Sequence, residues 1–258
     1  MDVTYATTRD GSFIDLPLVV VIDEHSASAA EALAASLQDN DRALLVGRRS
    51  FGKALMQTDF LVLPAGDNLR LTVGWVVSPS GRVIQRRYRG LAVEQYLGLA
   101  GTAGASEDTA PLFRTTAGRP VRGGGGIAPD VSLPPPPPFP VWFAVAADSG
   151  FMEATADSVA ATLGATAAAR AVWVADPGAW RDRLLSPFLS RVRARLGVAA
   201  VTDTALDARL ARLLAARAAE VRWGSDASAE LMLATSPEVR AALQQFPRLG
   251  ELLSPPRD

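Results

Sequence analysis

One short stretch limits what this chain can fold into more than any other. Residues 16–22, "LPLVVVI", are a continuous apolar run rich in β-branched side chains. Such a run reads as a strand buried on both faces, the kind found in parallel sheets. It stops at a cluster of small hydroxyl residues, "SAS" at 26–28, and opens at once into alanines and leucines at helical spacing over 28–38, with Glu31 in the first turn. Ser26 and Ser28 can each cap that helix. "DND" ends it, and "RALLVG" at 42–47 is a second buried strand. Strand, helix and strand with tight connections form a βαβ unit, whose crossover is expected to be right-handed.

The rest of the chain falls into distinct regimes. "FLVLP" and "LRLTVGWVVS" flank the turn-rich "AGDN" and predict a β-hairpin. The glycine-, alanine- and threonine-rich stretch from about 90 to 120 reads as a surface excursion. "RGGGGIAPDVSLPPPPPFP" reads as a loop followed by a stiff polyproline segment. Beyond it, "DARLARLLAARAAEVRW" (207–223) carries an apolar stripe opposite arginines, and "SAELMLA" and "SPEVRAALQQF" predict two further helices, the second capped by Ser236 with proline just inside. Three segments are expected: an α/β core at 1–133, a proline-rich linker at 134–141 and a helical region at 142–258.

Composition excludes several chemistries. The chain has 258 residues, enough for a sizeable core, and a net charge of −1, so no global charge favours nucleic acid or a membrane surface. There is no cysteine, which removes thiolate chemistry, disulfides and cysteine zinc sites. His25 is the single histidine, so a multi-histidine metal site is excluded. No run is long and apolar enough to span a bilayer, and "MDVTYATTRDGSF" is no signal peptide. A buried strand within the first twenty residues, lacking flanking elements, leads us to expect that Met1 is not the start of a complete protein.

Ser28 and Lys53 are the residues that could carry chemistry. A serine at a strand-to-helix turn can cap the helix, or attack a carbonyl while a neighbouring amide steadies the oxyanion. A serine nucleophile needs a base. His25 is too close in sequence, whereas a lysine serves if it enters neutral. Lys53 follows the second strand, at the end of the sheet where Ser28 lies and where α/β active sites collect. The alternative for Lys53 is a solvated surface side chain. Gln57 could hold the lysine amine, or could be a polar side chain at the start of the hairpin. Gly47 and Gly52 bracket "RRSF", and Gly52 would allow close backbone approach or a positive φ. Arg48 and Arg49 could bind a carboxylate or face solvent. "GGGG" at 123–126 lacks the context of a nucleotide loop and reads as a flexible linker.

Together these stretches resemble the carboxy-terminal processing peptidases, also called tail-specific proteases. That family's strand, SASASE, helix, strand and GKGxxQ are matched by "SASAAE", "LQDNDRALLVG" and "GKALMQ", and its later strands by "LRLTVGWVVSPSGRVIQ" and "RGGGGIAPDV", over roughly residues 11–133. The resemblance implies a serine endopeptidase using a Ser–Lys dyad: Ser28 as nucleophile, Lys53 as base, Gln57 as support and the Ala29 N–H as oxyanion donor. It implies an α/β ClpP/crotonase-like core, here partial (βαβ plus hairpin) and followed by the helical region, a peptide or protein substrate, no cofactor or metal, and an extracytoplasmic setting in the full-length protein. It also implies an upstream PDZ-type domain or a homo-oligomer as possible partner. Three positions depart from the pattern: Ala30 replaces the last serine, Ala54 replaces the second glycine, and His25 stands where glycine is common. Two other readings stay open. One is a truncated, inactive module that binds peptides or partners. The other is a crotonase-like acyl-thioester enzyme, which the serine–lysine spacing disfavours.

Overall fold

The computed structural model describes residues 4, 6–9, 11–62, 66–96, 110–200 and 202–252. The chain divides into two units, one made of 1–134 with 241–258 and the other of 135–240. The first division falls inside the proline run. The second differs from the expected 142–258 helical region, because the end of the chain belongs with the α/β unit.

The α/β unit is built on a three-stranded sheet. Strands β1 (Val19–Ile22), β2 (Leu44–Gly47) and β7 (Val131–Ser132) lie in the order β1–β2–β7, all parallel, with Val19 opposite Leu44 and Val46 opposite Val131. β2 is central and every one of its residues is buried, which explains its unbroken apolar sequence. Helix α1 (Ala29–Asp39) joins β1 to β2 and completes the βαβ unit. Its buried face is Glu31, Ala34, Ala35 and Gln38, at the spacing of one helical side. Two alanines in that stripe let the helix lie close to Ile22, Ala43 and Leu45, while a polar side chain sits at each end. Ala242 and Leu249, from the end of the chain, pack with Leu44, Val46, Val19 and Val131.

A buried polar network fixes the C-terminal end of α1. Arg82 and Asp39 form an ion pair at 2.7 Å, with side chains 1% and 0% exposed. Arg82 also donates to Gln38 Oε1 at 2.7 Å and to the Arg122 carbonyl at 3.0 Å. Arg119 bridges Asp41 and Asp130, both at 2.6 Å, and Asp130 accepts the Leu45 N–H at 2.8 Å. The "QDND" and "PDV" stretches are therefore two sides of one electrostatic clamp across α1, β2 and β7. Buried charges persist only when paired and hydrogen-bonded in this way.

The predicted hairpin is present as β3 (Leu55–Val62) and β4 (Asp67–Trp75), antiparallel, with a bulge between the Met56 and Gln57 pairings. A second small hairpin joins β5 (Leu112–Arg114) and β6 (Pro120–Arg122). Residues 63–65, in the hairpin loop, and 97–109, the middle of the expected surface excursion, lie outside the described residues.

The 135–240 unit is helical. Its core gathers Trp173, Trp180, Leu184, Phe188, Leu210, Leu214 and Leu231. Its longest element spans Thr204–Trp223, capped by Asp203, whose carboxylate accepts the Leu206 N–H at 2.8 Å. Leu210 and Leu214 on that helix are fully buried, and each contributes about 1.5–3 kcal/mol. The two indoles find backbone acceptors: Trp173 donates to Ala215 and Trp180 to Trp173. The helix predicted after Ser236 runs from Pro237 to Leu243, and the Ser236 hydroxyl accepts the Val239 N–H at 3.2 Å. No described helix is long and apolar enough to cross a membrane.

Candidate active site

The turn from β1 into α1 is organised by Asp23. Its Oδ1 accepts the backbone N–H groups of His25 and Ser26, both at 3.0 Å, and the Ser26 hydroxyl at 3.1 Å. The Ser26 hydroxyl in turn accepts the Asp23 N–H at 3.0 Å. Ser26 is thus spent on the turn. Sequence reading left Ser26 and Ser28 as rivals, and of the two it is Ser26 whose hydroxyl is bonded to Asp23.

Ser28 is the N-cap residue of α1 with φ 60° and ψ −122°. A non-glycine residue in that conformation costs on the order of 1–3 kcal/mol and persists only when its surroundings enforce it. Ser28 and Glu31 stand at the N-cap and N3 positions of a capping box, in which the Glu31 carboxylate accepts the Ser28 N–H. Ser28 is exposed. Ala29, the next residue, is the first of the helix, and an N–H at that position has no intrahelical acceptor. A serine on a strained strand-to-helix turn, with a free amide beside it at the positive end of the helix, has the layout of a nucleophile and oxyanion donor.

Glu31 enforces the strain. It is 1% exposed and lies on the inner face of α1. Its Oε2 accepts the Ser28 N–H at 3.0 Å and the Lys53 N–H at 2.8 Å. Its Oε1 accepts the Gly52 N–H at 2.7 Å and the Ser50 hydroxyl. Two amides on one oxygen keep the Ser28 and Lys53 nitrogens within about 6 Å of each other. The sequence showed Glu31 only as an acid in the first turn. The signal for its role was its spacing, since it falls on the same helical side as the buried Ala34, Ala35 and Gln38.

The lysine loop is pinned from several sides. The Phe51 N–H donates to the Ser26 carbonyl at 2.9 Å, the Arg86 N–H to the Gly52 carbonyl at 2.9 Å, and the Ala54 N–H to Gln85 Oε1 at 2.7 Å. Gly52 has φ 90°, and a Cβ there would lie 2.7 Å from the Gly126 nitrogen. Gly126, at φ 86°, lies so near the Ser50 carbonyl that a Cβ would overlap it. The Ile127 N–H donates to the Ser50 hydroxyl at 2.7 Å, and the Gly124 and Gly126 N–H groups donate to Val83 and Ile84. Of the four glycines expected to form a flexible linker, Gly126 packs against the lysine loop and Gly123 against Phe113 and Val83, while a Cβ at Gly124 or Gly125 would meet nothing within 4 Å. Glycine serves close backbone approach here, and composition does not distinguish that use from flexibility.

Lys53 is half-buried and Gln57 is exposed on β3. Among the described residues no hydrogen bond joins the side chains of Ser28, Lys53 and Gln57; such bonds often tighten only when substrate is bound. Arg48 is held at the turn by Glu24 at 2.7 Å and Asp23 at 3.9 Å, and Arg49 donates to the Gly126 carbonyl at 3.3 Å. His25 is exposed on the turn.

Sequence comparison identifies the class to which this mixed α/β segment is similar: residues 2–93 match the model of Peptidase family S41. The particular relatives carry the same name as the motif resemblance. The chain is 41% identical over 87 residues to a carboxyl-terminal-processing protease of Picosynechococcus sp., covering 30% of this chain and 21% of that one. It is 46% identical over 71 residues to a carboxy-terminal-processing protease of Bartonella bacilliformis, covering 27% and 16%. It is 52% identical over 76 residues to the chloroplastic carboxyl-terminal-processing peptidase 3 of Arabidopsis thaliana, covering 30% and 13%. The chain thus spans about a fifth or less of the length of these curated relatives.

Proposed function

We propose that this chain carries the catalytic segment of a serine endopeptidase of the carboxy-terminal processing type, working through Ser28 and Lys53. The observation that carries the reading is the strained Ser28 whose amide shares one Glu31 oxygen with the amide of Lys53. The similarity to carboxyl-terminal-processing proteases over the same residues supports it.

Ser28 Oγ attacks the peptide carbonyl carbon. Lys53, as the neutral amine, takes the hydroxyl proton and delivers it to the leaving amine. The Ala29 N–H donates to the oxyanion, and Gln57 orients the lysine. Water then attacks the acyl-enzyme, with Lys53 again as base. A PDZ-type domain that presents substrate tails is the partner this reading calls for, and an extracytoplasmic or lumenal compartment is its setting, as the chloroplastic name of one relative supports.

The test is turnover of an unfolded protein substrate by the parent chain, Ser28→Ala and Lys53→Ala. Each substitution is expected to lower kcat by at least about 10³-fold with the circular dichroism spectrum unchanged. Full turnover by either variant would refute the dyad.

A further inference from the structure

Among the described residues β3 and β4 form a sheet of two strands with no third strand beside them. The orientation of β3 follows from its first contacts. The Val76 N–H donates to the Ala54 carbonyl at 2.8 Å, and the Ala54 N–H donates to Gln85, so the peptide groups of Ala54 face β4 and its continuation. Successive residues of a strand turn their N–H and C=O groups to opposite edges. Lys53 accordingly points the other way, to Glu31. The same alternation turns Leu55, Gln57, Asp59 and Leu61 outward. Among the described residues their edge pairs with no strand, and it starts two residues after Lys53, on the side where Glu31 holds Ser28.

The hairpin is also two-faced. Phe60 pairs with Leu69 and Thr58 with Leu71 on one face, which Met56 extends; Gln57 pairs with Thr72 and Asp59 with Arg70 on the other. Met56, Phe60, Leu69 and Leu71 are each about half exposed. A two-stranded ribbon with a bare apolar face is marginal in water, and an exposed apolar patch of this kind marks an interaction surface. An open row of strand N–H and C=O groups is a template for another extended chain. The one charge on the outward edge, Asp59, is held by Arg70 at 2.6 Å and does not blunt it.

We propose that the outer edge of β3 receives the substrate as an added β-strand and leads its scissile bond to Ser28. Side chains at every second position of that strand lie on the Met56, Thr58 and Phe60 face, so the site favours extended segments with apolar residues at alternate positions. The proposal rests on the peptidase reading. Continuity of the edge with the Lys53 loop is what assigns it to substrate and not to a second copy of this chain.

The experiment uses the full chain with fluorescein-labelled β-casein. In the Ser28→Ala background, which blocks cleavage, Asp59→Pro and Leu61→Pro each remove one outward N–H and no ladder bond. Both are expected to weaken casein binding at least fivefold by anisotropy, while Asp59→Asn leaves it unchanged. In the active background, the parent chain is expected to be labelled at Ser28 by a fluorophosphonate. Casein affinity that is equal in the proline variants overturns the proposal. So does sedimentation showing that the chain pairs with itself through this edge and that casein does not compete. Loss of casein binding in the proline variants, without any labelling of Ser28, keeps the edge assignment and removes the peptidase reading instead. A scan of N-methylated β-casein octapeptides on the Ser28→Ala chain needs no change in the strand. Affinity losses at alternate positions support strand addition, and losses without that period overturn it.

Discussion

The backbone amides of Ser28 and Lys53 end on the same atom, Oε2 of Glu31, at 3.0 and 2.8 Å. A residue from the turn after β1 and one from the loop after β2 are thereby locked together by the first turn of α1. The arrangement makes the strain at Ser28 and the place of Lys53 a single structural event.

Glu31→Gln tests that coupling. The amide side chain keeps the volume but offers one acceptor oxygen, and turns N–H groups toward donors. The chain is expected to lose about 2–3 kcal/mol of stability, because buried donors are left unmatched. The rate at which a fluorophosphonate labels Ser28 is expected to fall at least about tenfold, since small misplacement of reacting groups is costly. Urea denaturation and labelling kinetics measure the two effects. Unchanged labelling would show that Glu31 does not position the site.

The glycines against the lysine loop are expected to tolerate no side chain. Gly126→Ala drives a methyl into the Ser50 carbonyl, and Gly52→Ala meets the Gly126 nitrogen, both at positive φ. Each substitution is expected to cost about 1–3 kcal/mol. Thermal melts give the stability, and the labelling assay shows whether the loop has moved. A melt superimposable on the parent's would mean that the loop has more room than its contacts imply.

The two serines of the turn are expected to behave in opposite ways. Ser26→Ala removes both hydroxyl bonds with Asp23 and costs about 1 kcal/mol, leaving Ser28 reactive. Ser28→Ala keeps the Cβ, and with it the backbone strain, and abolishes labelling. Peptide mapping of the labelled chain distinguishes them, and a label on Ser26 would reverse the assignment.

Asp39→Ala leaves the Arg82 guanidinium buried and unpaired, which is expected to cost about 3–5 kcal/mol. Replacing both partners at once, as Asp39→Leu with Arg82→Met, is expected to recover part of that loss. Urea denaturation of the single and double variants checks it. A double variant no more stable than Asp39→Ala would mean that the rest of the network, not the unpaired charge, sets the cost.

Local pattern carried much of this architecture. The unbroken apolar run of β2 matched its burial, and the two apolar runs flanking "AGDN" pair as a hairpin. Ser28 was legible as the residue at a strand-to-helix turn. Its positive φ was not, because strain comes from what surrounds a residue. The polar ends of the buried α1 face were the more instructive miss. Glu31 and Gln38 have the spacing of core positions, but composition assigns such residues to solvent. Arg82 and Arg119 were invisible as clamp residues, because their carboxylate partners lie up to 43 and 78 positions away. Gly123 and Gly126 were misread because a linker and a close-packed crossing look alike in sequence.

The central claim is that a reactive hydroxyl at Ser28 depends on the amine of Lys53. The most direct measurement is the rate of fluorophosphonate labelling at Ser28, located by peptide mapping, in the parent chain and in Lys53→Ala. The account predicts Ser28-specific labelling in the parent and a loss of at least about 10³-fold in the variant, both chains folded. A parent chain that is folded yet unlabelled at Ser28, or a variant labelled at the parental rate, would contradict it.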